Sequence, residues 1–160
     1  MKDLVFVSED LSLSISVTVS ARHHLSAILA RSAGLETGGV LVGHYSRELD
    51  EAIVELAGGP PRDSVRGPTS FSRGIVGLRR VFLRAWRNRR SYLGEWHFHP
   101  GHQPSPSPTD RATVRAFADD ARMNCPTPIL LIVSVAPGGG YFFQAEALNK
   151  RHQWIRLHAR

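Results

Sequence analysis

Gly94-Glu95-Trp96-His97-Phe98-His99-Pro100, joined through a proline-rich gap to Ser107-Pro108-Thr109-Asp110, is the most informative stretch of this chain. Tyr92–His99 suits a short strand, and alternate side chains of a strand share a face. His97 and His99 therefore point one way, with Glu95 beside them by parity, while Phe98 points into the opposite layer. Two neighbouring imidazoles are a natural start for a metal site, because neutral histidine is the commonest nitrogen ligand of zinc. A catalytic zinc takes three protein ligands and keeps one position open for water. Asp110, in the first turn of the following helix, can supply the third. Pro100–Pro108 holds four prolines and cannot be regular structure. Ser107-Pro108-Thr109-Asp110 also has a purely structural reading: Ser107 as N-cap, Pro108 in the first helical position, and Asp110 reaching back as in a capping box. The two readings are compatible, since a carboxylate in a first turn can ligate a metal that a histidine pair faces.

Upstream, Leu11–Val19 alternates apolar and polar residues with period two, as a half-buried strand does. Ser20 offers a cap to a helix whose Leu25, Ile28, Leu29 and Ala33 fall at helical spacing until Gly34 stops the run. Glu36–Tyr45 and Ala52–Ala57 read as strands about the charged turn Ser46–Glu51, and Gly58–Gly74 reads as a loop. Ile75–Arg90 predicts a helix with Leu78, Phe82, Ala85 and Trp86 inward and its arginines mostly outward. Downstream, Val114, Phe117, Ala118 and Ala121 predict a helix over Thr109–Met123. Ile129–Ala136 and Tyr141–Leu148 read as strands around the Pro137–Gly140 turn, and His152–His158 as an edge strand or a partial helix. The class that follows is α/β, a mixed sheet with helices packed against it.

Composition bounds the function. The chain has 160 residues, 42% of them hydrophobic and 21% charged, which is ordinary for one globular domain. Its 20 basic and 14 acidic residues leave a net charge of +6, a sign of an acidic partner that does not by itself choose among nucleic acid, protein and membrane surface. The single cysteine, Cys125, excludes an intramolecular disulfide and a cysteine-rich zinc site and suits a reducing compartment. The apolar run Ile129–Val133 is too short to span a bilayer, and MKDLVFVSED does not read as a signal peptide. The expectation is a cytoplasmic protein. The basic run Arg79–Arg90 reads as a solvated face, because no nucleic-acid module accompanies it. Trp86 and Trp96 read as core, His102 as an exposed loop histidine, and Cys125 as a buried thiol with nothing beside it to activate it.

Taken together, His97-x-His99, seven residues, Ser107, two residues and Asp110 resemble the signature of the JAB/MPN/Mov34 metalloprotease family, often called JAMM. The resemblance implies one Zn2+ per chain on His97, His99 and Asp110, with Ser107 beside the metal-bound water as an oxyanion donor. It also requires a glutamate from an earlier strand as general acid/base. Glu36 opens Glu36-Thr37-Gly38-Gly39-Val40-Leu41-Val42-Gly43, which looks like the family's Glu-x-x-Gly segment. Alone, Glu36 would read as a solvated carboxylate at a helix–strand junction. Glu95 is the competing acid, and its place beside the histidines suits a partner standing behind them. The family pattern favours Glu36. Gly58–Arg66 and Pro68–Phe71 are similar to a loop of compact bacterial JAB proteins, which are often encoded beside ubiquitin-activating-like and conjugating-like enzymes.

The resemblance runs from about Ser20 to Leu148. It implies a single JAB/MPN domain over residues 1–160, a mixed sheet sandwiched by helices and related to the cytidine-deaminase arrangement. Deaminase chemistry itself is disfavoured, because the His-x-Glu and Pro-Cys-x-x-Cys ligands are missing. The implied activity is a zinc-dependent (iso)peptidase that hydrolyses the bond after the C-terminal tail of a ubiquitin-like protein. That protein and E1-like and E2-like enzymes would be the partners, within an antiviral defence operon. Such a tail can add as a strand beside an exposed edge, with Gly38, Gly39 and the proline-rich segment as groove walls. The alternatives are C-terminal trimming of a sulfur-carrier protein, a non-catalytic scaffold, and a basic nucleic-acid-binding module. The presence of Glu36, His97, His99, Ser107 and Asp110 together weighs against a scaffold.

Overall fold

In the computed structural model, which describes residues 2–101 and 105–160, the period-two segments form the strands and the helical stripes the helices. His102, expected to be exposed, lies outside the described residues. Chain order is β1 (Leu4–Ser8), β2 (Ser14–Val17), α1 (Val19–Leu29), β3 (Thr37–Tyr45), β4 (Glu51–Ala57), β5 (Val65–Arg66), β6 (Phe71–Ser72), α2 (Leu78–Arg87), β7 (Ser91–His99), α3 (Pro108–Ala118), a 3-10 turn (Ala121–Met123), β8 (Ile129–Val135), β9 (Tyr141–Leu148) and β10 (Trp154–Ala159). Thr18, rather than Ser20, caps α1: its hydroxyl accepts the Ala21 N–H at 3.2 Å. Beyond that helix Gly34 turns the chain with φ +74°. Gly58–Gly74 is not all loop, since β5 and β6 pair within it as a short hairpin.

The expected mixed sheet with helices on both faces is present, but it does not end as an open layer. Among the described residues, eight strands in the order β1-β10-β9-β8-β7-β3-β4-β2 close on themselves as a barrel. The seam is β1 with β10, where Phe6, Val7 and Ser8 pair with Ala159, His158 and Leu157. Closure satisfies both edges, which an open sheet would leave as rows of unpaired donors and acceptors. β2–β4 and β7–β8 are parallel pairs.

Faces alternate along each strand. Leu41, Trp96, Phe98, Ile129, Leu131 and Val133 join Ala21, Leu25 and Leu29 of α1 in one buried cluster. On the other face Val40, Val42 and Tyr92 pack with Leu78, Phe82 and Ala85 of α2, and Leu130 and Ile132 with Val114 of α3. Trp86, expected inward, is 41% exposed and stacks on Phe82 at 6.3 Å. Ala121 is exposed because α3 ends at Ala118, before its stripe is complete.

One irregularity sets the parity of the histidine strand. Leu41 pairs with Gly94 and Val42 with Tyr92, leaving Leu93 as a bulge. Gly94 sits at φ +145°, where a Cβ would come within 1.8 Å of the Ile129 carbonyl oxygen. The bulge lets Tyr92 and Glu95 share the outer face while Leu93 and Trp96 both turn inward. No helix among the described residues is long and apolar enough to cross a membrane.

Candidate metal centre

The end of β7 meets the first turn of α3. His97 and Asp110 are buried and His99 is partly buried. His97 Nδ1 lies 2.8 Å from Asp110 Oδ1, and His99 Nε2 lies 3.6 Å from Asp110 Oδ2. Asp110 owes its aim to the cap: its N–H donates to Ser107 Oγ at 3.1 Å, and its Oδ2 accepts the Ser107 N–H at 2.8 Å. The capping box and the converging set therefore share Asp110.

Glu36 stands just before β3, whose Thr37 and Gly38 pair with Phe98 and His97, so its backbone lies near the histidine end of β7. Its N–H donates to the Gly67 carbonyl at 2.8 Å, and its own carbonyl accepts Arg66 Nε at 3.1 Å. Burial pushes the Glu36 carboxyl up; His99 and His97 pull it down and Asp110 pushes it up, so all three lie within its electrostatic reach. Gly38 and Gly39, expected as groove walls, are instead buried. A Cβ on Gly38 would lie 2.4 Å from the Trp96 carbonyl oxygen and 2.8 Å from Phe71, and one on Gly39 would lie 2.1 Å from the Gly58 carbonyl oxygen. The glycines seat neighbouring chain segments.

Burial disfavours a charged His97, yet its contacts with Asp110 and Glu95 outweigh that and hold it at about 9. Burial likewise opposes ionisation of Asp110, and His97 and His99 overcome it, keeping the carboxyl well below the usual carboxylate range. Three partners of this site had no signal in the sequence. Phe71 meets the His97 ring edge-on at 5.4 Å, Arg73 donates to Glu95 at 2.8 Å, and the Tyr92 hydroxyl lies 3.5 Å from Glu95. They arrive from the hairpin and from beyond the β7 bulge, and no spacing rule links them to the histidines.

One ligand atom from each of His97, His99 and Asp110 lies within 4.8 Å of the others. Two imidazole nitrogens and one carboxylate oxygen form a donor set that suits zinc and leaves room for a fourth ligand. Residues 18–147 match the family of prokaryotic homologs of the JAB domain. The chain belongs to that family. The JAB resemblance carried by the 97–110 spacing is thereby borne out.

Two relatives of this JAB protein bear the name CD-NTase/cGAS isopeptidase. The one from Enterobacter hormaechei subsp. hoffmannii is 34% identical over 157 residues, covering 98% of this chain and 87% of its own length. The one from Pseudomonas aeruginosa is 28% identical over 139 residues, covering 81% and 85%. A solution structure of a protein from Desulfitobacterium hafniense shares the fold with a TM-score of 0.62 at 20% identity, over 91% of this chain and 89% of that one.

Proposed function

We propose that this JAB protein is a metal-dependent isopeptidase that cuts the bond between an extended C-terminal tail and a lysine ε-amine. The observation that carries the reading is the convergence of His97, His99 and Asp110, with Glu36 directly before the β3 residues that pair with Phe98 and His97. The relatives' name supports a protein conjugate as substrate and makes a CD-NTase/cGAS-like protein the first candidate for the conjugated partner. A ubiquitin-like tail, joined by E1-like and E2-like enzymes, is the second.

His97, His99 and Asp110 would hold the metal. A zinc ion there supplies Lewis acidity, polarising the scissile carbonyl and easing deprotonation of water near neutral pH. Glu36, whose partial burial favours proton uptake, takes the proton of the attacking water and passes it to the leaving amine nitrogen. A C–O bond forms, the C–N bond breaks, and the products are a carboxylate tail and a free lysine amine. Ser107 Oγ already accepts the Asp110 N–H, so its own hydroxyl proton is available to the oxygen on which charge develops. Asp110, anchored through Oδ2 to the Ser107 backbone, keeps its place while doing so.

The test uses the purified chain and two substrates, each a C-terminal tail linked to a lysine peptide through its ε-amine: one tail from a CD-NTase, the other from a ubiquitin-like protein. About one zinc per chain and chelator-sensitive cleavage of either are expected. Glu36→Gln should keep the metal and lose cleavage; near-full activity in that variant would remove Glu36 from its role. His97→Ala and Asp110→Ala should lose the metal itself.

A further inference from the structure

Glu95 is fully buried, and a buried carboxylate persists only where something compensates its charge. Its two oxygens divide the work. Oε1 accepts Arg73 Nε at 2.8 Å and stands 3.5 Å from the Tyr92 hydroxyl. Oε2 faces His97 Nε2 at 3.4 Å. Arg73 is nearly as enclosed, with 6% of its side chain exposed. It also donates to the Gly74 carbonyl at 2.9 Å, and its guanidinium lies 4.7 Å above the Phe117 ring. The pair is walled off from solvent, so Glu95 does not meet a substrate.

Its place behind the histidine is what matters. His97 presents Nδ1 to Asp110 and Nε2 to Glu95. An imidazole that ligates a metal gives up the proton on one nitrogen, and an acceptor behind the other nitrogen selects which one. We infer that Glu95, held by Arg73, is a positioning residue for His97: it accepts the Nε2 proton and so presents Nδ1 towards Asp110 and His99. Arg73 stands 22 residues before Glu95 and directly follows β6. The β5–β6 hairpin is thereby tied to the histidine twice, through Arg73–Glu95 and through the Phe71 ring. The arrangement also explains why this position carries glutamate rather than glutamine. A carboxylate accepts from Arg73 and from His97 at once, whereas an amide has one oxygen and must offer its NH2 to one of them.

This inference rests on the metal-centre reading, and the experiment separates the two. Wild type, His97→Ala, Glu95→Gln, Arg73→Lys, Arg73→Met and Leu157→Ala are purified and checked for folding by circular dichroism. Leu157 is a core residue of β10, which carries no residue of the site. Each protein is titrated with Zn2+ against a chromophoric chelator and with Co2+ while the visible d–d spectrum is recorded. Glu95→Gln should weaken Zn2+ binding about 10–100-fold, alter the Co2+ spectrum, and lower kcat more than KM. Arg73→Lys, which keeps the charge, should bind Zn2+ more tightly than Arg73→Met. Leu157→Ala should lose stability and keep both metal readouts. A folded Glu95→Gln with wild-type Zn2+ affinity and Co2+ spectrum, while His97→Ala has lost the metal, overturns the positioning role alone. Should Glu95→Gln fail to fold, wild-type affinity in both folded Arg73 variants overturns it equally. Wild type that binds neither ion overturns the metal centre and this role with it.

Discussion

Ser107 and Asp110 form the cap of α3 and each carries a proposed part in the chemistry, and substitutions at Ser107 can separate its two. Ser107→Ala removes the cap of α3, at a cost of about 1 kcal/mol, together with the hydroxyl donor, at a cost of about 10²–10³ in rate. Ser107→Gly removes the same donor but costs only a few tenths of a kcal/mol as a cap. The two variants should therefore differ in urea midpoint and match in kcat; a Ser107→Gly enzyme with near-wild-type kcat would take Ser107 out of the chemistry. The charges of the site also set how stability follows pH in the metal-free protein. His97 is held at about 9 against an ordinary 6.5, so its stabilisation is full below 6.5 and drains as pH rises towards 9. Asp110 is depressed, so its contribution is present above the usual carboxylate range and is lost in acid. Melting temperature measured with chelator present should fall on both flanks of neutral pH, and a flat profile from 6.5 to 9 would contradict the His97–Asp110 contact. Cys125, expected as a buried and unactivated thiol, is partly buried. Burial pushes it up to about 12, with Tyr45 Oη at 3.2 Å only partly opposing. Iodoacetamide at pH 8 should leave it unmodified in the folded protein and label it after denaturation.

Among the elements, β3 shows why small residues lie beside the histidine strand. Gly39 admits no side chain because the Gly58 carbonyl oxygen, which also accepts Trp96 Nε1 at 2.8 Å, occupies the space. Gly39→Ala should cost about 1–3 kcal/mol by overpacking, whereas Gly101→Ala, with nothing within 4 Å, should be neutral in the same urea titration. Equal midpoints would mean that β3 and the Gly58 segment are not held in register. The glycines were visible in the sequence, and their reason was not, since it depends on which backbone lies alongside. The helices were legible to within a turn or so because their apolar stripes carry a 3.6-residue period. α2 nevertheless starts at Leu78 behind Gly77, three residues later than its stripe suggested. Its Arg79, Arg80, Arg84 and Arg87 stay exposed and form no ion pair among the described residues, in keeping with the solvated basic face read from the sequence.

For the molecule as a whole, a metal that binds only the folded chain must stabilise it. At free zinc about 100-fold above the dissociation constant the gain is about 2.7 kcal/mol, or roughly 5–10 °C in Tm for a chain of this length. Differential scanning fluorimetry with zinc and with chelator reads it, and equal melting temperatures would count against a preformed site. The sequence by itself determined the common face of His97 and His99 on β7 and the capped turn that carries Asp110, because these depend on local rules: the two-residue period of a strand and the hydrogen-bond needs of a helix start. Glu36 was reached through a family pattern and lies near the site because β3 pairs with β7 in a register that sets Gly38 beside His97. Tertiary structure alone decided the rest. The barrel closes through Leu4–Ser8 and Trp154–Ala159, two segments with weak signals of their own, because each satisfies the other's open edge. Phe71 reaches His97, and Arg73 and Tyr92 reach Glu95, only once the hairpin folds back and the Leu93 bulge resets the strand's parity. Contacts between residues far apart in the chain leave no period and no spacing to read, so they exist only in the folded molecule.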